Sequence, residues 1–187
     1  MGGDKAMLHL GGRPMIARVA ERLRQACAEV LVVDRNPGRY AFLGLPVVPD
    51  RRPGFGALSG LHAGLLALRR PVGLFVACDM PFLRPPLLRF LAALATTPEA
   101  AAWDAVVPLR GGRAEPLLAV YSRHLLPVVE GLLAGGGGPL RRVLEAPGVR
   151  VRWVEEQVLR RFDPGLVSLT NVNTPEEYRQ ALRRWTP

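Results

Sequence analysis

Hydrophobic positions along this chain switch repeatedly between a helical and a strand-like period. Over residues 14–28, Ile16, Val19, Ala20, Leu23, Ala26 and Cys27 recur every three or four positions, which predicts an amphipathic helix with Pro14 in its first turn. Residues 30–33 form a β-branched apolar run closed by Asp34-Arg35-Asn36-Pro37-Gly38, read as a buried strand and a turn. A short strand at Val47-Val48 ends at Pro49-Asp50. A loop with three glycines, residues 53–60, then leads into a helix reaching Leu68. Residues 72–78 are continuously apolar, as expected of a central strand covered on both faces, and stop at Asp79-Met80-Pro81.

Pro85-Pro86 opens a helix through Ala95. Strands at 105–109 and 117–121 flank the Gly111-Gly112 turn, and a helix starts near Arg123. The glycines at 135–138, a short helix after Pro139 and a strand at 149–154 follow. Thr174-Pro175-Glu176-Glu177 opens the last helix, with Thr174 as cap, Pro175 at the first helical position and Glu177 completing a capping box. Strands alternating with helices predict an α/β domain with a mostly parallel sheet, helices on both faces, and ligands at the carboxyl ends of the strands.

The 187 residues suit one domain, and 49% hydrophobic with 22% charged residues supports a real core. The longest nearly apolar window, residues 56–68, is shorter than the ~20 residues of a membrane span, and no secretory signal pattern is present. A cytoplasmic protein is expected, with no membrane partner. Cys27 and Cys78 are too few for a disulfide framework, and His9, His62 and His124 are too scattered for a zinc site. The net charge of +9 favours anionic ligands. The arginines come in pairs rather than runs, and aromatics are only 6%, so nucleic acid is not an expected partner.

Four polar clusters fall at strand ends or in the loops after them: Gly2-Gly3-Asp4-Lys5, Asp50, Asp79 and Asn171-Val172-Asn173. Asp79 follows an apolar strand and is stopped by a proline two residues later, a natural position for a Mg²⁺ ligand. Lys5 is the only lysine in a chain whose other basic residues are all arginine. Its compact ammonium suits phosphate oxygens, and Gly2 and Gly3 allow close backbone approach to an anion. Asp50 suits a strand-end cap and a nucleotide contact equally. Asn171 and Asn173 alternate about Val172 and so share a face.

These residues resemble the molybdenum cofactor guanylyltransferase family, within the MobA-like NTP transferases. Met1-Gly2-Gly3-Asp4-Lys5-Ala6 is similar to the second half of the family pattern L-A-G-G-x-[ST]-x-R-M-G-x-D-K-A. Leu10-Gly11-Gly12-Arg13-Pro14-Met15 resembles L-x-G-[RK]-P-[LM]. Asp50 with Gly56-Ala57-Leu58-Ser59-Gly60 resembles D-x…G-P-L-[AS]-G, Cys78-Asp79-Met80-Pro81 resembles C-D-[MT]-P, and Asn171–Glu177 resembles N-[VI]-N-T-P-E-[ED].

The resemblance implies a three-layer α/β/α, Rossmann-like domain that transfers GMP from Mg·GTP to the phosphate of molybdopterin and releases pyrophosphate. It implies Lys5 and Asp79 as catalytic, with Asp79 on Mg²⁺. Gly2, Gly3, Lys5, Asp50 and Asp79 would form the nucleotide site, and Asn171 and Asn173 would lie near the acceptor. Implied partners are GTP and molybdopterin, with molybdoenzymes or other cofactor-biosynthesis proteins beyond them. The first half of the signature is absent, so the expectation is a single domain, 1–187, shortened at its amino terminus and lacking its first strand. The family often places an asparagine near the end of the 30–33 strand; this chain aligns Val33 there, with Asp34 and Asn36 close by, and no residue is assigned. Alternatives are a sister enzyme using CTP on molybdopterin or another NTP on a different phosphorylated acceptor, and a non-catalytic nucleotide-binding homologue.

Overall fold

The structure is a computed structural model that describes residues 4–97 and 102–185. Gly2 and Gly3 lie outside the described residues. The element order is β1 (His9–Leu10), β2 (Arg13–Pro14), α1 (Met15–Arg24), β3 (Val32–Asp34), β4 (Val47–Pro49), α2 (Ala57–Ala67), β5 (Val72–Val76), α3 (Pro85–Leu94), β6 (Ala105–Arg110), β7 (Arg113–Ala114), β8 (Leu118–Ser122), α4 (Leu126–Ala134), α5 (Arg141–Leu144), β9 (Val151–Val154), α6 (Glu156–Leu159) and α7 (Pro175–Arg184).

Five strands form the main sheet. β8 lies between β5 and β6 and is antiparallel to both, β9 runs parallel to β6 on its other side, and β7 turns back on the end of β6. β5, β6 and β9 therefore share one direction, with β8 reversed. The period-two alternation sorts side chains onto two faces. Val106, Leu118, Val120 and Val154 meet α3 and α6 in one apolar cluster. Ala105, Val107, Ala119 and Tyr121 meet α2, α4 and α5 in another. The three layers expected from the sequence are present.

The apolar run at 72–78 reads as a fully covered strand, but β5 has a different place. Among the described residues it pairs only with β8, and all five of its residues are half-buried. The reversed strand β8 takes the central position instead, and every one of its residues is buried. β3 and β4 form a separate parallel ribbon in the register Val32↔Val47, Val33↔Val48, Asp34↔Pro49. α2 touches both the ribbon and β5, and so bridges the two sheets.

Helix α1 stops four residues earlier than its periodicity suggests. The N–H groups of Ala26 and Cys27 both turn back to the Leu23 carbonyl, at 2.9 and 2.8 Å, and the chain leaves the helix axis. The hairpin β1–β2 is an addition to the elements read from the sequence. Gly11 and Gly12 take φ of +54° and +78°, the left-handed pair that closes a two-residue hairpin. Close approach is a second reason for Gly11, since a Cβ there would sit 2.1 Å from Trp185 Nε1.

Candidate active site

The β5 strand ends where its last neighbour hydrogen bond, Ala77 N–H to the Leu117 carbonyl, is made at 3.0 Å. Cys78 and Asp79 then leave the sheet, and the fully buried Met80 anchors the turn. The Asp79 carbonyl accepts the Val172 N–H at 2.9 Å. Val172 is itself fully buried beside Leu10, Met15 and Ala181. One inward apolar residue thus fixes the two asparagines on either side of it against the end of β5.

Lys5 arrives from the other end of the chain. It opens a 3₁₀ turn capped by Asp4, whose Oδ1 accepts the Ala6 N–H at 3.1 Å. Its Nζ donates to Asn173 Oδ1 at 3.2 Å. The hairpin that follows is held on α7, where Tyr178 donates to the His9 carbonyl at 2.5 Å and the Arg18 guanidinium lies 3.7 Å over the Trp185 ring. The structure therefore brings Lys5, Asp79, Asn171 and Asn173 into one site from three distant stretches of chain.

Two oxygens in this site are buried without a hydrogen-bond partner: Asp79 Oδ1 and Asn171 Oδ1. Burial pushes the Asp79 carboxyl above its usual range, and the Lys5 charge opposes that shift. Glu177 stands nearby, but its carboxylate is already used. Its Oε2 accepts the N–H groups of Asn173 and Thr174 at 2.7 and 2.9 Å, which hold its pKa below the ordinary glutamate value. Thr174 Oγ1 accepts the Glu177 N–H at 3.1 Å, so the capping box read from the sequence is present. The preceding loop rests on the buried Asp163, whose Oδ2 accepts the Ser168 N–H at 2.7 Å, while Ser168 Oγ accepts that of Arg84 at 2.9 Å.

Asp50 is placed differently. It follows β4, and its Oδ1 accepts the Arg52 N–H at 3.0 Å, closing its own turn. Among the described residues no hydrogen bond or ion pair joins it to Lys5, Asp79 or the asparagines. The carboxylates that do gather near the end of β5 are Asp34 and Asp4, left unassigned by sequence. Desolvation first, then the charges of Asp79, Asp4 and Asp34, push the Cys78 thiol up to about 11. Tyr40 donates to Asp4 Oδ2 at 2.8 Å, and Arg39 lies 3.8 Å from Asp4 and 3.7 Å from Asp34. The sequence signal for Asp34 was its position at the end of a strand, the same signal that marked Asp79.

A cavity of about 360 Å³ opens beside the asparagines. Arg110 and Glu115 line it from the β6–β7 hairpin, Phe82 from the segment after Asp79, and Gln180 and Arg184 from α7. A single hard cation bound by one carboxylate and otherwise by phosphate and water oxygens would satisfy the orphaned Asp79 oxygen. Among the described residues no group of three His, Cys, Asp or Glu side chains could hold a metal by itself.

Comparison with known proteins adds a family to this geometry. The MobA-like NTP transferase domain matches residues 1–152. The chain is 39% identical over 180 residues to a probable molybdenum cofactor guanylyltransferase of Pelotomaculum thermopropionicum, covering 95% of this chain and 83% of that one. It is 36% identical to the molybdenum cofactor guanylyltransferase of Desulfosudis oleivorans, covering 96% and 86%. The crystal structure of molybdopterin-guanine dinucleotide biosynthesis protein A from Archaeoglobus fulgidus superposes with a TM-score of 0.84 at 28% identity, covering 98% of this chain and 91% of that one. With the domain matching residues 1–152 and relatives 39% and 36% identical over nearly the whole chain, this chain belongs to the MobA-like NTP transferase family.

Proposed function

We propose that this protein transfers GMP from Mg·GTP to the terminal phosphate of molybdopterin, giving the guanine dinucleotide form of the cofactor and pyrophosphate. The observation that carries this reading is the orphaned, buried Asp79 oxygen beside Lys5 and the asparagine pair, in a chain whose relatives bear that activity in their names. An acceptor phosphate oxygen attacks the α-phosphorus of GTP. A new P–O bond forms there, the bond from the α-phosphorus to the bridging oxygen breaks, and pyrophosphate carries away the electron pair.

The central difficulty is bringing two anions together in line. Lys5 supplies a compact point charge for the triphosphate, and its bond to Asn173 keeps that charge at the site before the nucleotide arrives. Asp79 is the residue that would hold Mg²⁺, and the metal supplies charge neutralisation on the phosphoryl oxygens. The Asn171 and Asn173 amides can donate to the acceptor phosphate. A phosphate monoester, with a second pKa of about 6, is already largely dianionic at neutral pH, so no general base is required. Glu177 does not compete for the metal, because its carboxylate is spent on two backbone N–H groups. Among the described residues no helix is long and apolar enough to cross a membrane.

The test is nucleotidyl transfer to molybdopterin with GTP and with CTP, each with Mg²⁺, by wild type and Asp79→Asn. Transfer from GTP should predominate and fall by about 10³-fold in the variant, several kcal/mol of lost transition-state stabilisation. Retention of near-normal activity by Asp79→Asn would remove Asp79 from the site, and faster transfer from CTP would replace the donor.

A further inference from the structure

The cavity next to the asparagines is more selective than a phosphate site needs to be. β6 and β7 pair as Leu109↔Ala114 and Arg110↔Arg113, and the ladder continues as the Glu115 N–H bonds to the Pro108 carbonyl at 2.9 Å. The strand pleat therefore places Arg110 and Glu115 on the same face of the hairpin, and both line the cavity. Arg110 is anchored, since its Nη1 donates to the Leu169 carbonyl at 2.7 Å, two residues before Asn171. Glu115 is half-buried, and among the described residues no hydrogen bond or ion pair uses its carboxylate. Burial pushes that carboxyl above its usual range, against the pull of Arg110. Asn171 Oδ1, on the same wall, is buried with no donor.

Glu115 and Asn171 thus both line a cavity of about 360 Å³, large enough for a small planar ligand. Phe82 offers a flat apolar wall and is itself packed on Trp185, with ring centroids 6.3 Å apart. On the α7 side, Gln180 and Arg184 are spaced to face the same space, with Arg184 available to an anionic substituent. A ligand that fits this lining is a flat heterocycle with adjacent N–H donors on one edge and negative charge elsewhere. The 2-amino-4-oxo pyrimidine edge of a pterin has that chemistry, and so does guanine.

Resting on the transfer reading above, we infer that Glu115 is a specificity-determining residue that accepts the paired N–H donors of the acceptor's pterin ring, while Arg110 and Arg184 face its anionic groups. The acceptor rather than the donor base is assigned because the cavity is lined by Asn171 and Asn173, the acceptor side of the transfer reading, and not by Lys5, Asp50 or Asp79 on its nucleotide side.

The experiment uses the full chain as wild type and as Glu115→Gln, which keeps the shape but turns one carboxylate oxygen into a donor. First, GTP binding is measured for both proteins, together with KM for molybdopterin and for GTP. Then 6-hydroxymethylpterin and its 2-oxo counterpart, 6-hydroxymethyllumazine, are titrated by fluorescence. Wild type should prefer the pterin, and Glu115→Gln should lose that preference while its KM for molybdopterin rises by about tenfold or more, with KM for GTP unchanged. If wild type binds GTP but does not discriminate pterin from lumazine, the assignment of Glu115 fails and the transfer reading stands. A rise in KM for GTP alone would give the edge to the donor base and overturn the inference. If wild type binds no GTP, both readings fail together.

Discussion

Valines run through both the main sheet and the β3–β4 ribbon, yet the fold treats them differently. Val107 and Leu118 are fully buried, because β6 and β8 have a strand on each side and helices on both faces. Val32 and Val33 are half-buried, since among the described residues β3 has only β4 beside it. The site lies across the seam between these two regions. Asp79 and the asparagines belong to the well-packed side. Asp34, Tyr40 and the turn that carries Asp4 and Lys5 belong to the ribbon side, where Ala6, Ile16 and Tyr40 form a smaller cluster. Under the proposed transfer reaction, the carboxylate that would hold the metal lies on the well-packed side, and the Lys5 ammonium reaches it from the other, bonded to Asn173.

The contrast in burial can be broken most strongly in the core. Leu118→Ala should cost about 2–5 kcal/mol by denaturant unfolding, the range for a fully buried leucine. Val32→Ala should cost much less, at about 0.8 kcal/mol per fully buried methylene and only partial burial here. Equal losses would mean that the ribbon is as tightly built as the sheet. Next in size, Lys5→Ala should weaken GTP binding by about tenfold while leaving guanosine binding unchanged. Lys5→Arg should be impaired as well, because a planar fork does not replace a point charge bonded to Asn173. Calorimetric titration of both ligands measures this.

Smaller effects sharpen the account of the seam. Thr174→Ala removes the acceptor of the Glu177 N–H and should lower stability by about 1 kcal/mol in thermal or denaturant melts. The smallest is a pH effect at Asp79 in metal-free protein. Its carboxyl is raised on folding, so the folded state holds the proton more tightly than the unfolded state does. The wild type should therefore lose stability as pH rises from the unfolded carboxylate value through the raised folded one, and Asp79→Asn should not. Melting both proteins across that acidic window, with a chelator present, gives the difference. A wild-type curve parallel to that of the variant would show that burial does not perturb Asp79.

Much of the site was legible because its signals are local. A carboxylate after an apolar run with a proline behind it describes a strand end, two asparagines flanking an inward valine describe a shared face, and the backbone bond from the Val172 N–H to the Asp79 carbonyl joins the two segments. The capping box at Thr174 was legible for the same reason: its partners are three residues apart. Asp50 shows the limit, since a carboxylate after a strand can equally close its own turn, as it does with Arg52. Glu115 and Arg110 carry no local mark at all. Only the pairing of β6 with β7, together with the return of residues 169–173 to the hairpin, puts them on a cavity wall.

Composition and periodicity determined that this chain forms strands and helices in alternation, how α7 begins, and that Asp79 and the asparagine pair stand at ends of elements. Those outcomes follow from interactions within a few residues, which are the same in any fold. Which strand is central was decided by long-range pairing. The run 72–78 and the strand β8 are both apolar, and hydrophobicity does not say which will have two neighbours. Nor could it place Lys5 against Asn173, 168 residues away. That contact exists because the hairpin turned by Gly11 and Gly12 docks under Trp185, bringing the first described residues to the last helix.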